Sequence, residues 1–379
     1  MHRQAHSCGT GIHSYWCRIS FKLREAKGPS HESGTVNKMT PKFYVPRQPD
    51  ILSGGIHVSV VTPFYNTADY LEECILSVLR QTHTNWEYIL ADNCSTDGSG
   101  DIAEKYAALD PRIHVVREHQ FLSQVENYNR ALCYISPESK YCKIVQADDW
   151  IYPSCLAEMI AVAESGDNVG LVSSFCLYGD YPFHIGLPLG KGPVYPGRDV
   201  ARTQLFGIML FGSPTGVMYL SDIVRSHKPF FSTTTRYFED TDICFEILRD
   251  YDFGFVSQIL TFNRRDNDST WARLEPYKPH LLCEVMFLHL FGPDFLDHEE
   301  LVRQTRDVEG RYYHFLAHCA LRGYGRDFWE FHGKGLDSIG LKLSYRRVVL
   351  HALSVIADAA MNPKHTFENI WHLARERRS

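Results

Sequence analysis

No apolar run in the chain is long enough to cross a membrane. A span needs about 18 such residues, and the longest candidate, Val348 to Met361, is interrupted by His351 and Asp358. Positive charge is not in excess either. The 39 Lys and Arg against 45 Asp and Glu leave a formal net charge of -6, which gives no electrostatic ground for nucleic-acid binding. The 11 cysteines and 19 histidines show no clustered spacing of the zinc type. Scattered cysteines in a long chain fit buried or free thiols in a reducing, cytoplasmic compartment better than a disulfide framework. No internal repeat is visible. What remains, 44% hydrophobic and 22% charged residues over 379 positions, is an ordinary globular composition with room for one large or two modest domains.

The first ~55 residues differ from the rest. They mix Gly, Ser, His, Lys and Arg without periodicity, and Pro41, Pro46 and Pro49 oppose regular structure. They lack the apolar core of a signal peptide. Residues 1–55 are read as a disordered extension, with Met39 as an alternative start.

From Ile56 onward strands alternate with helices. Ile56 to Thr62 is short and β-branched, a strand, broken by Pro63-Phe64-Tyr65-Asn66. Asn66 or Thr67 can cap the helix that follows, which carries Leu71, Cys74, Ile75, Val78 and Leu79 on one face. Trp86 to Ala91, Ile113 to Arg117, Cys142 to Ala147 and Val169 to Phe175 read as further strands, separated by helices. This alternation implies a mostly parallel sheet with flanking helices. The pattern then loosens. Gly179 to Gly197 reads as a loop that could cover a substrate, Gln204 to Phe211 and Tyr237 to Arg249 as helices, and Phe253 to Phe262 as a strand. The chain from about Pro276 reads as helical to its end.

The most informative residues are Asp148 and Asp149, which stand where the run Cys142 to Ala147 stops. In open α/β sheets, ligands bind beyond the carboxyl ends of strands. Two adjacent acids there repel unless a proton or a cation relieves them. A hard divalent cation with oxygen ligands does so, and such ions commonly carry phosphates. The pair points to a metal–diphosphate site.

Three segments together resemble the family-2 glycosyltransferases of the GT-A fold: Val58 to Asn66, Asp92-Asn93-Cys94-Ser95-Thr96-Asp97-Gly98, and Ala147-Asp148-Asp149. Each is weak alone; their order and spacing are specific. The resemblance covers roughly residues 56 to 270. It implies a Rossmann-like α/β domain over residues 56–275; the helical C-terminal region over 276–379 lies outside it and is read from the residues alone. It also implies an inverting enzyme that moves a sugar from a nucleoside diphosphate sugar to a hydroxyl of a glycan or lipid-linked acceptor, in polysaccharide biosynthesis. The implied cofactor is Mg2+ or Mn2+. Contact with the inner face of a membrane is a further expectation, because an amphipathic helix can lie on a surface without spanning it.

The resemblance carries roles onto single residues. Pro63, Tyr65 and Asn66 match the donor-binding turn, where a ring can stack on a base; a buried Tyr in a strand-to-helix turn is the plainer reading. Asp92 matches the acid that bonds base or ribose, and Asn93 replaces the commoner second Asp. Asp97 is read as a helix cap. Asp148 and Asp149 match the later part of the acidic motif, as metal ligands and, for Asp148, a donor contact; Gln146 replaces its usual first Asp. Glu239 and Asp240 match the pair that supplies the catalytic base, with Asp240 preferred and Glu239 in reserve. Asp242 is read as capping or exposed. Arg264 and Arg265 match a segment that closes over the diphosphate, although Asp266 stands in place of the family histidine. Ser213-Pro214-Thr215-Gly216 resembles the segment that lines the cleft. Two other readings stand beside this one. A nucleotidyltransferase would need a Gly-rich loop after the first strand, where Pro63-Phe64-Tyr65-Asn66 stands instead. A degenerate sugar-nucleotide or glycan-binding module would hold donor without turning it over.

Overall fold

The β-branched run after Ile56 becomes β1 (Val58–Phe64), every residue of which is buried. A strand buried on both faces belongs in the middle of a sheet. β1 lies between β2 (Trp86–Asp92) and β4 (Tyr141–Ile144) and runs parallel to both, with β3 (Ile113–Arg117) parallel to β2 on the far side. The computed structural model describes residues 55–183, 192–211, 213–233, 238–265 and 273–361. The expected extension lies outside them except for Gly55.

Helices return the chain between these strands. α1 (Ala68–Leu79) buries Leu71, Cys74, Ile75, Val78 and Leu79, the face its spacing predicts. α2 (Ser99–Ala107) follows β2. α3 (Gln124–Leu132) opens on a capping box in which Ser123 and Glu126 satisfy each other's backbone N–H groups. α4 (Cys155–Ala163) leads to β6 (Val169–Tyr178). Between β4 and α4 lies β5 (Trp150–Ile151).

Beyond β6 the β–α alternation lapses and the sheet becomes mixed. β7 (Tyr181–Phe183) turns back on β6, and β8 (Val194–Tyr195) pairs antiparallel with β10 (Asp252–Asn263). β9 (Val217–Leu220) inserts antiparallel between β4 and β6. The order is β3-β2-β1-β4-β9-β6-β10-β5. The parallel arrangement expected from the sequence holds for β1 to β4 and for the β6–β10 pair.

Three elements differ most from the sequence reading. β1 is not broken at Pro63: it runs on to Phe64, with Pro63 beside Ala91 and Phe64 beside Asp92 of β2. β4 ends at Ile144 and not at Ala147, because the chain leaves the ladder after Val145 N–H bonds Val61 O at 3.0 Å and then turns. The helix expected over Gln204 to Phe211 is instead α5 (Gly197–Leu205). It starts directly after Pro196, whose fixed φ suits a helix start, and ends before Gly207, whose φ of 89° is left-handed. Of the expected loop from Gly179 to Gly197, the described parts form β7 and β8, while 184–191 lie outside the described residues.

α6 (Ser221–Ser226) and α7 (Glu239–Ile247) complete the sheet's helical cover. Of the helical stretch expected from Pro276 to the end, 362–379 lie outside the described residues, and the described part holds α8 (His280–Phe295), α9 (His298–Leu321), α10 (Arg326–Ser338) and α11 (Tyr345–Met361). It shares one core with the sheet. Phe245 of α7 stacks on Phe291 of α8 at 4.7 Å and meets Phe211 edge-on at 5.5 Å. His332 in α10 is fully buried, with its ring nitrogens on the Tyr312 hydroxyl and the Tyr277 carbonyl. Burial pushes its pKa down to about 4, as befits a structural core histidine. No helix among the described residues is long and apolar enough to cross a membrane.

Candidate active site

β1 is where the strand order turns: β2 and β3 lie to one side of it and β4 to the other. A crevice opens beyond the carboxyl ends of strands at such a point. The motif residues Tyr65, Asp92 and Asp148 come just after or at the ends of β1, β2 and β4.

One corner of the crevice is knitted by backbone-directed bonds. Asn66 has a left-handed φ of 49°, accepts from Thr96 N–H at 2.8 Å through Oδ1, and donates its own N–H to Ser95 Oγ at 3.0 Å. Asp97 accepts from Ala68 N–H at 2.9 Å and from Ser99 N–H at 3.0 Å, so one side chain caps both α1 and α2. Thr67 makes no side-chain cap. Asp92 is 3% exposed, and its Oδ1 accepts from Ser95 N–H at 2.8 Å. Gly100 lies against it: a Cβ there would sit 2.8 Å from Asp92 Oδ2.

Asn93, read from sequence as a mild replacement, ties down a loop. Its amide donates to Leu122 O and accepts from Leu122 N–H, both at 2.9 Å. The loop presents Phe121, 58% exposed, edge-on to Tyr65, 45% exposed, with ring centroids 4.8 Å apart. Tyr65 is therefore not the buried turn residue of the plainer reading. Two large rings left in water at a crevice mouth offer an apolar surface to a flat ligand. Phe121 was missed because a lone aromatic in an irregular segment carries no sequence signal.

The two acids of the pair have different environments. Asp149 is 4% exposed, and both its oxygens are occupied. Oδ2 accepts from the Thr215 hydroxyl at 2.6 Å and from the Asn263 amide at 2.8 Å; Oδ1 accepts from Arg264 N–H at 2.9 Å. It thus binds the turn Pro214–Gly216 to the end of β10. Burial first, and Asp148 next, push its pKa up to about 7. Asp148 is only partly buried, and burial raises its carboxyl as well. Beneath the pair lies Lys143, fully buried, a cation inside what reads as an apolar run. Its ammonium donates to the carbonyls of Thr215 and, at 3.1 Å, Val217. Burial pushes its pKa down to about 8.

Arg264 is committed within the site. Its Nε donates to Asp148 O at 2.9 Å, its guanidinium pairs with Glu73, and it lies 4.6 Å from the centre of the Tyr70 ring. Arg265 lies further out, 5.9 Å from the Tyr181 ring centre. Asp266, the departure from the family histidine, falls outside the described residues.

Glu239 and Asp240 form the first turn of α7, where the helix dipole favours acids. Asp240 is partly buried, and its Oδ1 accepts from Thr241 N–H at 2.8 Å. Burial, with Glu239 adding to it, pushes its pKa up to about 7. Asp242 is buried, against the sequence reading of an exposed or capping residue, because it falls on the inward face of α7 with Ile243. An aromatic row leads from this helix to the acid pair. Burial, and then the neighbouring Cys244 and Asp240, raise the Tyr219 phenol. Tyr219 meets Phe230 at 5.2 Å, Phe230 meets Phe231 at 4.9 Å, and Phe231 meets Tyr128 at 5.9 Å. Burial, and then Asp148, raise the Tyr128 phenol.

Residues 59–227 match the family model described as Glycosyl transferase family 2. A stretch of 92 residues is 42% identical to TuaG of Bacillus subtilis, named for teichuronic acid biosynthesis, covering 24% of this chain and 36% of that protein. Glycosyltransferase GlyG of Streptococcus pneumoniae is 30% identical over 132 residues, covering 34% of this chain and 43% of GlyG. The chain therefore spans between about a third and a half of the length of these curated relatives. Among solved structures, residues 1–349 of S. aureus TarS, in complex with UDP-GlcNAc, superimpose with a TM-score of 0.57 at 14% identity, covering 81% of this chain and 92% of that one. Residues 59–227 are a family-2 glycosyltransferase domain, and the fold is GT-A.

Proposed function

We propose that this family-2 glycosyltransferase moves a sugar from a nucleoside diphosphate sugar to a hydroxyl of a glycan or lipid-linked acceptor, with inversion at the anomeric carbon. The observation that carries the reading is the division of labour in the acid pair. Asp149 is occupied by three protein donors, while Asp148 beside it lies partly open at the crevice. The rings of Tyr65 and Phe121 would hold the base, with Asp92 behind them on the nucleoside.

The residues fit a divalent cation of one kind. Among the described residues no three His, Cys, Asp or Glu converge into a protein-only cage. Mg2+ or Mn2+ bound through one carboxylate plus substrate phosphates and water needs no more than Asp148 supplies. When bound, such an ion supplies positive charge against the charge that develops on the departing nucleoside diphosphate. Asp149 then acts as the brace that holds Asp148, Thr215 and Arg264 in register, a change from the metal-ligand role the resemblance implies for it. Arg264 contributes charge beside the site while held by Glu73.

Asp240 accepts the proton of the acceptor hydroxyl as that oxygen attacks the anomeric carbon from the face opposite the nucleotide. The bond to the diphosphate oxygen breaks as the new glycosidic bond forms, through an oxocarbenium-like transition state. A carboxylate with a pKa near 7 is suited to this work at neutral pH. The test is product stereochemistry. Proton NMR of the product from an α-linked donor should show a β-glycoside; an α-glycoside would sink the single-displacement reading. A donor panel can begin with uridine diphosphate sugars, in view of the TarS complex.

A further inference from the structure

The last described helix is turned the wrong way round for a protein that meets only water. α11 buries Val348 alone, while Val349, Leu350, Leu353 and Ile356 are each more than half exposed and Met361 more so. At about 100° per residue these side chains, with Ala357 and Ala360, share the outward face. Arg346 is the only charged residue on it. A surface helix of a globular protein shows the opposite arrangement.

The surroundings of this face are basic. The groove between α9 and α11 is lined by Arg303, Arg306, Arg311, His314 and His351, with Asp307 the one acid. Arg311 is neutralised by Glu284 and Asp307, and Arg347 by Glu309. Arg303, Arg306 and Arg346 have no acidic partner among the described residues. Asp358 faces the same flank and offsets part of this charge. From Tyr345 onward the sequence holds six Lys and Arg against three Asp and Glu, within a chain whose net charge is -6.

We infer that the outer face of α11 docks on an anionic lipid surface. Its aliphatic side chains would enter the boundary of the acyl region, and Arg303, Arg306 and Arg346 would meet the headgroups. An apolar stripe rimmed by arginine is the composition of a helix that lies in a membrane interface. A two-fold contact between copies of the chain would instead bring the arginine rims together. Docking would hold the crevice near a lipid-linked acceptor, but the inference stands on the helix whether or not the acceptor is a lipid.

Vesicle flotation of the full chain tests it. The protein should float with phosphatidylcholine vesicles that contain phosphatidylglycerol, and not with phosphatidylcholine alone. Leu353→Glu with Ile356→Glu should weaken binding by more than about tenfold. Arg303→Ala and Arg306→Ala should each weaken it roughly fivefold, and high salt should imitate them. Unchanged circular dichroism and unchanged donor hydrolysis would show that these variants are folded and catalytically intact. Three results would overturn the inference: no flotation of the wild type, flotation unaffected by the glutamates, or a wild-type dimer that the glutamates dissociate in light scattering.

Discussion

At the residue scale the account turns on neighbours with different work. Asp148→Asn should leave thermal unfolding near the wild type and remove transferase turnover. Asp149→Ala should do something else first. It strands the Thr215 hydroxyl, the Asn263 amide and the Arg264 N–H in a buried place, at a cost of roughly 2–4 kcal/mol of stability. Chemical denaturation of the two variants separates these outcomes; equal stability in both would remove the brace role. Lys143 gives a pH signature of its own. Its pKa of about 8 in the folded chain lies below the ordinary 10.5. Between these values the unfolded chain holds a proton that the folded chain has released, so this residue's contribution to stability should rise with pH across that window. Lys143→Met should abolish that part of the slope in denaturation series run across that window.

These residue roles were unequally legible. The order of the three motifs put Tyr65, Asp92 and Asp148 at or beyond strand ends, because the close of an apolar run is written locally, although β1 runs on through Pro63 and β4 stops at Ile144, ahead of Asp148. The partners of Asp149 were not legible as partners, since Thr215 and Asn263 lie 66 and 114 residues away. Lys143 was hidden by its apolar neighbours, and nothing in a sequence says that a lysine's ammonium will find two carbonyls inside the fold.

At the element scale the strands and helices of the first half follow from periodicity, and the exceptions have local causes. Pro196 and Gly207 set α5 earlier than its apolar residues suggest. Asp97 was read correctly as a cap, yet its second helix was invisible: Ala68 comes to it only when β1 and β2 lie side by side. Asp97→Ala should thus unfold more readily than a single lost cap predicts, by about 1–2 kcal/mol for each helix start it serves. Thermal melts beside Ser123→Ala, which removes one cap only, give the comparison. A smaller loss in Asp97→Ala than in Ser123→Ala would contradict the double-cap reading.

At the scale of the whole molecule the site is assembled from distant pieces. Three parallel strands lead to Tyr65, Asp92 and Asp148, the turn before β9 and the end of β10 supply the brace, and the proposed base, Asp240, stands half-buried in the first turn of α7. If Asp240 is the base, it must be ionised to take a proton. The rate under kcat/KM conditions should therefore rise with pH to a plateau, with an apparent pKa near 7, set by burial and by Glu239. Asp240→Asn should lower kcat by roughly 10²–10⁴-fold while donor affinity changes little. A profile that stays flat through that region would assign the proton to another group.

The most direct measurement is release of free nucleoside diphosphate from a panel of sugar nucleotides, with acceptor glycan and with or without Mn2+. It would be run on the wild type, Asp148→Asn and Asp240→Asn, with donor binding followed in parallel. The account predicts metal-dependent release with a preferred donor, loss of release in both variants, and donor binding retained in Asp240→Asn. Donor bound by the wild type without release, or release that survives in both variants, would contradict it and favour a module that holds sugar nucleotides without turning them over.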